Sequence, residues 1–149
     1  MKKHITFLLS IILLTSCIND TESFKPQTEE DIIKYIEAND LNANRSNTGL
    51  YYVISKEGSG ARPNNNSNVT VAYKGYFLDG KTFDESNSEG ISFGLNQVIL
   101  GWTEGITYFK EGGEGKLLVP YNLGYGLNGR PGIPGGAVLI FDIKLISVN

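Results

Sequence analysis

The single tryptophan of this 149-residue chain lies in Val98-Ile99-Leu100-Gly101-Trp102-Thr103-Glu104-Gly105, directly after an aliphatic pair and a glycine. Other aromatics stand singly beside glycines or acids, in Tyr73-Lys74-Gly75, Phe83-Asp84, Tyr125-Gly126 and Phe141-Asp142. Brought together, these side chains would wall one apolar pocket, with Asp84 and Tyr125 as its sparse polar groups. Mostly apolar walls with a few placed hydrogen-bonding groups are the usual composition of a binding site. Nucleophilic and metal chemistry have few means here. His4 and Cys17 are the only histidine and the only cysteine. Beyond residue 17 the chain therefore cannot build a Ser-His-Asp triad, a Cys-His dyad, or a zinc or copper site ligated by histidine or cysteine. No metal and no cofactor are expected.

The N-terminus reads as a processing signal. Lys2 and Lys3 precede an apolar run from Ile5 to Leu14. The run is too short to span a bilayer, which takes about 20 residues. Leu14-Thr15-Ser16-Cys17 resembles a bacterial lipobox, in which the cysteine is acylated and becomes the first residue. That resemblance implies removal of residues 1–16 and a lipid anchor at Cys17. Two or three acyl chains hold stably where a single chain holds marginally. Ile18 replaces the aspartate that directs retention in the inner membrane of some bacteria, so the expected address is the cell envelope, at the outer membrane. Removing Lys2 and Lys3 leaves 11 of the 13 basic residues against all 16 acidic ones, a net charge of −5. An acidic chain of this kind argues against nucleic acid as a partner.

Residues 17–27 are polar and nearly patternless, and read as lipid anchor and tether. Residues 28–48 read as a short helix and a linker. Thr28-Glu29-Glu30-Asp31 offers a capping hydroxyl with an acid three residues on, and early negative charge suits the helix dipole. Ile32, Ile33, Tyr35 and Ile36 follow, and the helix should fail near Asn39-Asp40. It can pack on its own domain or serve as a dimerisation helix. At about three turns an independent coiled coil is short, so packing at home and a monomeric protein are expected. From Gly49 the pattern turns to strands: Leu50–Ser55, Val69–Leu78 with clean alternation, Gly115–Pro120 and Val138–Ile146. Asp79-Gly80 marks a hairpin turn. Trp102–Lys110 is the one convincing helix of this half. Ala137–Ile146 is its most apolar run and should be a central strand. The expected class is α+β, an antiparallel sheet wrapped on one short helix, with residues 49–149 as a single domain.

Six blocks carry a family resemblance: Val71-Ala72-Tyr73-Lys74-Gly75-Tyr76, Gly80-Lys81-Thr82-Phe83-Asp84, Val98-Ile99-Leu100-Gly101-Trp102, Val119-Pro120-Tyr121-Asn122-Leu123-Gly124-Tyr125-Gly126, Gly132-Ile133-Pro134 and Leu139-Ile140-Phe141-Asp142. In order and near-family spacing they resemble the FKBP-type peptidyl-prolyl cis-trans isomerases, from about Gly49 to the C-terminus. The resemblance implies a half-barrel sheet around a helix, with a pocket between them. It places Trp102 at the pocket floor and Tyr73, Phe83, Ile91, Val98, Ile99, Ile133 and Phe141 in the walls. Asp84 and Tyr125 become polar rim groups, and the N–H of Ile99 meets a substrate carbonyl. Arg130, a substrate-binding residue at the rim, stands where many relatives have histidine, and Gln97 where some have glutamate, departures that bear on selectivity more than on activity. Phe93 is the same-face neighbour of Ile91, a position often aromatic in the family.

Taken singly, Phe83, Val98, Ile99 and Phe141 are more often plain core, and Tyr125 could be a simple turn aromatic. The agreement of six blocks is what favours the site. The implied activity is isomerisation of X–Pro bonds in exported or envelope polypeptides, which needs no nucleophile, base or metal. The alternative is a binding module of the same fold in an envelope or gliding-motility assembly, with weak or incidental catalysis, since a fold hosts many functions.

Overall fold

The computed structural model describes residues 25–149, so the signal segment, Cys17 and most of the tether lie outside the described residues. The chain runs α1 (Glu29–Ala38), β1 (Asn44–Arg45), β2 (Tyr51–Lys56), β3 (Asn68–Tyr76), β4 (Thr82–Glu85), β5 (Ile91–Gly94), α2 (Leu100–Gly105), β6 (Glu114–Val119) and β7 (Leu139–Val148). Short 3-10 turns fill Leu95–Gln97, Ile106–Tyr108 and Tyr121–Leu123. The strands form one seven-stranded antiparallel sheet in the order β1-β2-β6-β7-β3-β4, with β5 also paired to β3. The class is α+β, as expected.

Alternation sorts the strands into two faces. On β7, Leu139, Phe141, Ile143 and Leu145 enter the main core with Leu117 and Val119 of β6, Val69 and Val71 of β3, and Trp102 and Ile106. Val138 and Ile140 point the other way and pack with Leu118, Tyr51 and Ile32. Both faces of β7 are thus buried where these residues lie, which is why its sequence is so apolar. It is the central strand, flanked by β6 and β3.

The helix α1 packs on its own domain. Asp31 accepts the Thr28 N–H at 2.7 Å, satisfying one orphan donor at the helix start. Asp40 follows the helix with φ of 51°. Ile32 is fully buried, with Tyr35 and Ile36 packed beside it against the sheet's outer face. One such burial contributes about 1.5–3 kcal/mol, more than a helix of this length gains alone in water. Arg45 and Tyr51 both donate to Glu29 Oε1, at 2.6 and 2.8 Å, and hold its carboxyl below the usual range.

The stretch expected as a linker is built into the same body. Asn44 and Arg45 pair with Tyr52 and Tyr51, and Thr48 donates to Glu104 of α2 at 2.6 Å. Upstream, the Gln27 N–H reaches the Gly136 carbonyl at 2.9 Å, and the Gln27 side-chain oxygen accepts the Val138 N–H at 2.7 Å. The packed structure thus reaches upstream of Gly49 at least to Gln27.

The second helix differs from expectation in its bounds. It starts at Leu100, two residues before Trp102, and gives way to a 3-10 turn at Ile106. Gly101 and Gly105 are poor helix formers, but they serve close packing. A Cβ on Gly101 would lie 2.5 Å from Val119, and one on Gly105 2.7 Å from Leu117, so α2 sits against β6 closer than any other residue allows.

Candidate functional site

A cavity of about 660 Å³ opens between α2 and the sheet. Its lining includes Tyr73, Phe83, Asp84, Ile91, Val98, Ile99, Trp102, Tyr125, Arg130, Ile133 and Phe141. The structure therefore brings together every pocket residue expected from the sequence. Cys17, the expected acylation site, lies outside the described residues.

Each wall has its own support. Tyr73 leaves the middle of β3 at the point where the edge of that strand passes from β5 to β4. Phe83 and Asp84 come from β4, Ile91 and Phe93 from β5, and Phe141 from β7. Trp102, 6% exposed, is held among three rings: Tyr73 edge-on at 4.9 Å, Phe141 edge-on at 5.1 Å and Phe93 tilted at 5.4 Å between centroids. Such pairs add about 0.5–1.5 kcal/mol each beyond the area they bury. Phe83 stands perpendicular to Phe141 at 5.6 Å. Gly75 makes this possible, because a Cβ there would meet Phe83 at 2.7 Å and Phe141 at 2.9 Å.

The helix that carries Trp102 is pinned at both ends. Thr103 donates to the Leu95 carbonyl at 2.6 Å, tying α2 to the preceding turn. The Glu104 carboxylate accepts both Thr48 and Tyr108, at 2.6 and 2.9 Å. Ile99 caps the helix start, its carbonyl accepting the N–H groups of Trp102 and Thr103. The Ile99 N–H belongs to the set of donors that a helix start leaves unpaired.

Polar groups at the rim are few. The Tyr73 hydroxyl donates to Asp84 Oδ2 at 2.7 Å. Burial first, and this carboxylate second, push the Tyr73 phenol well above its ordinary pKa, so it stays a hydrogen-bond donor at any physiological pH. Arg130 donates to the Tyr125 hydroxyl at 3.1 Å. Among the described residues, Asp84 and Arg130 are the only formal charges in the lining.

Sequence reasoning named Phe93 only as a neighbour of Ile91 and did not include Pro131 or Gly132, yet all three line the cavity. Same-face spacing from Ile91 was the signal for Phe93. The Pro-Gly pair between Arg130 and Ile133 was the signal for a turn that brings both ends to one place.

A second cavity, about 550 Å³, lies on the opposite face and is lined by Lys74, Glu85, Glu114, Lys116, Asp142 and Lys144 among others. Lys116 is paired with Asp142 there, and Lys144 with Glu114. Lined mainly by charged and polar side chains, it offers a solvated surface, not a desolvating site. Among the described residues no cluster of histidine, cysteine, aspartate or glutamate has the form of a metal site.

The chain is similar in sequence and fold to known proteins. The family model described as FKBP-type peptidyl-prolyl cis-trans isomerase matches residues 60–146. The isomerase FkpA of Escherichia coli K12 is 46% identical over 106 residues, covering 70% of this chain and 39% of the relative. FkpA of Buchnera aphidicola subsp. Baizongia pistaciae is 39% identical over 151 residues, covering all of this chain and 58% of the relative. The chain thus spans less than two thirds of the length of these curated relatives. The crystal structure of Escherichia coli FkpA superposes with a TM-score of 0.74 at 40% identity, over 80% of this chain and 58% of that one. A peptidyl-prolyl cis-trans isomerase from Pseudomonas syringae pv. tomato superposes with a TM-score of 0.71 at 28% identity, over 84% of this chain and 98% of that one.

Proposed function

The chain belongs to the family of FKBP-type peptidyl-prolyl cis-trans isomerases, and on that premise we propose that its aromatic pocket catalyses rotation about X–Pro bonds in polypeptides of the cell envelope. The observation that carries this reading is the convergence of Tyr73, Phe83, Val98, Ile99 and Phe141 around Trp102, with two formal charges in the lining among the described residues.

The reaction suits such a site. Rotation meets a barrier of about 18–20 kcal/mol because resonance gives the C–N bond double-bond character. Uncatalysed exchange takes tens of seconds or more. The planar amide is the more dipolar state and is stabilised by water. The twisted state has lost that resonance and needs water less. An apolar pocket therefore raises the planar state relative to the twisted one, and each 1.36 kcal/mol of difference gives about a tenfold rate increase. The proline ring sits over the Trp102 indole, and the N–H of Ile99 receives a substrate carbonyl. Asp84 holds the Tyr73 hydroxyl in place at the rim. No bond is made to the enzyme, and no proton need move.

Asp84→Leu tests this assignment. Leucine keeps the branched shape, is somewhat larger, and removes the acceptor for Tyr73. Turnover of a Leu-Pro peptide should fall about tenfold, the equivalent of one lost polar contact in the transition state. Stability should change by well under the cost of a core truncation, since Asp84 is exposed. A folded Asp84→Leu protein with full activity removes Asp84 from the mechanism.

We further propose that the mature protein is a monomeric lipoprotein, anchored through Cys17 to the outer membrane, with proline-containing polypeptides as substrates and no nucleic-acid partner. Leu14-Thr15-Ser16-Cys17 supports the anchor. No helix among the described residues is long and apolar enough to cross a membrane. Eight residues separate Cys17 from Pro26. Cys17→Ser should leave the protein unprocessed or release it from membranes. Persistence of a cleaved Cys17→Ser protein in the membrane fraction would rule the anchor out.

A further inference from the structure

The two charges in the pocket lining are placed in different ways. Asp84 is engaged by the Tyr73 hydroxyl. The Arg130 guanidinium carbon lies 5.0 Å from the centroid of the Tyr125 ring, and one of its N–H groups bonds the Tyr125 hydroxyl at 3.1 Å. No ion pair is formed by Arg130 among the described residues. A guanidinium has five N–H donors in a rigid fork that matches a carboxylate, so most of the fork is left for a ligand.

The backbone fixes where this fork sits. Arg130-Pro131-Gly132-Ile133 is closed by hydrogen bonds in both directions, from Arg130 N–H to the Ile133 carbonyl at 2.9 Å and from Ile133 N–H to the Arg130 carbonyl at 2.8 Å. Proline presets the first corner and Gly132, at φ of 84°, takes the second. Ile133, 8% exposed, anchors the turn in the core, while Arg130, Pro131 and Gly132 line the cavity. Stacking on Tyr125 restrains the long side chain before any ligand arrives, which lowers the entropy cost of using it.

We propose that Arg130 makes this isomerase favour a carboxylate over the corresponding neutral amide in the side chain next to the proline. The proposal rests on the isomerase reading and names its substrate class. Two features oppose it. Asp84 shares the pocket, and the chain as a whole is acidic, with a formal charge of −3. Both disfavour an acidic peptide at long range, where salt screens them within about 8–10 Å. A preference for acid must therefore come from a short-range contact.

The test compares matched peptides with glutamate, glutamine or leucine directly before proline. At low salt, kcat/KM for glutamate over glutamine should be about 3–10, the range of a partly exposed charge-assisted pair. The ratio should fall toward one in about 1 M salt. Arg130→Gln should abolish it, and Arg130→Lys should keep only part, since lysine has charge without the fork. A wild-type ratio of one or less, or a ratio that survives Arg130→Gln, overturns the proposal. If no peptide is turned over, the isomerase reading fails. The selectivity is then decided by peptide affinity, read from the emission of Trp102. Tighter binding of the glutamate peptide, lost in Arg130→Gln, upholds it, and equal binding ends it.

Discussion

A Phe141→Ala protein is expected to lose about 3–5 kcal/mol of stability together with nearly all turnover. Phe141 is 4% exposed on the central strand β7. Its ring stands edge-on to Trp102, Tyr73 and Phe83 at 5.1, 6.4 and 5.6 Å. Truncation would leave a cavity that these rings cannot close without abandoning their own contacts. The loss approaches the whole stability of a marginal domain, typically about 5–15 kcal/mol. Phe141→Leu separates the two effects. It keeps most of the apolar volume and should cost about 1–2 kcal/mol, while removing the ring edge from the pocket wall. Urea midpoints at unchanged slope give the stabilities. Leu-Pro turnover is then compared under conditions where each variant is folded. A Phe141→Ala protein within 1 kcal/mol of wild type would contradict the packing described here.

Gly75→Ala should damage both stability and activity. The added methyl would lie 2.7 Å from Phe83 and 2.9 Å from Phe141. Phe141 is wedged by Trp102 and Tyr73, so Phe83, on the short strand β4, is the ring that gives way. Overpacking of this kind costs about 1–3 kcal/mol. Displacing Phe83 moves a pocket wall, and a drop of about tenfold or more in kcat/KM is expected from 1.4 kcal/mol of lost transition-state preference. Phe83→Leu in the Gly75→Ala background should return part of the stability by making room, without returning activity. Unchanged kcat/KM in Gly75→Ala would show that Phe83 is not a wall that matters.

What the sequence disclosed follows the strength of its periodicity. β3 alternates along its length, so both its existence and its faces were legible, with Val69, Val71 and Gly75 buried as expected. β7 was legible as the central strand because burial on both faces demands an apolar run. β5 was not, since Ile91-Ser92-Phe93-Gly94 is four residues long and follows a polar, glycine-ended loop. β1 was hidden for a related reason. Asn44 and Arg45 are exposed on the sheet's edge and carry no apolar signature. The start of α2 was misplaced because propensity argues against Gly101 and Gly105, whereas contact with Val119 and Leu117 requires them. The pocket residues were recoverable through motif order alone. Nothing in local pattern brings Tyr73, Trp102 and Tyr125 to one cavity. That is done by the pairing of β3 with β7 and by the seating of α2 on β6.

The position of β7 also sets a clock. Synthesis is vectorial, and β7 is the last of the seven strands to be made, yet it fills the gap between β6 and β3. Its ladder joins Val69 to Val148 and Tyr76 to Ile140, partners far apart along the chain. Until residues 139–148 are available, β3 and β6 have no common neighbour, and the main core lacks Leu139, Phe141, Ile143 and Leu145. Non-local pairing of this kind forms late and slowly. A nascent chain therefore cannot complete the main core until these residues have been made. Were the chain exported as an extended thread, as the lipoprotein proposal has it, a delay of this sort would keep it threadable until the final strand arrives.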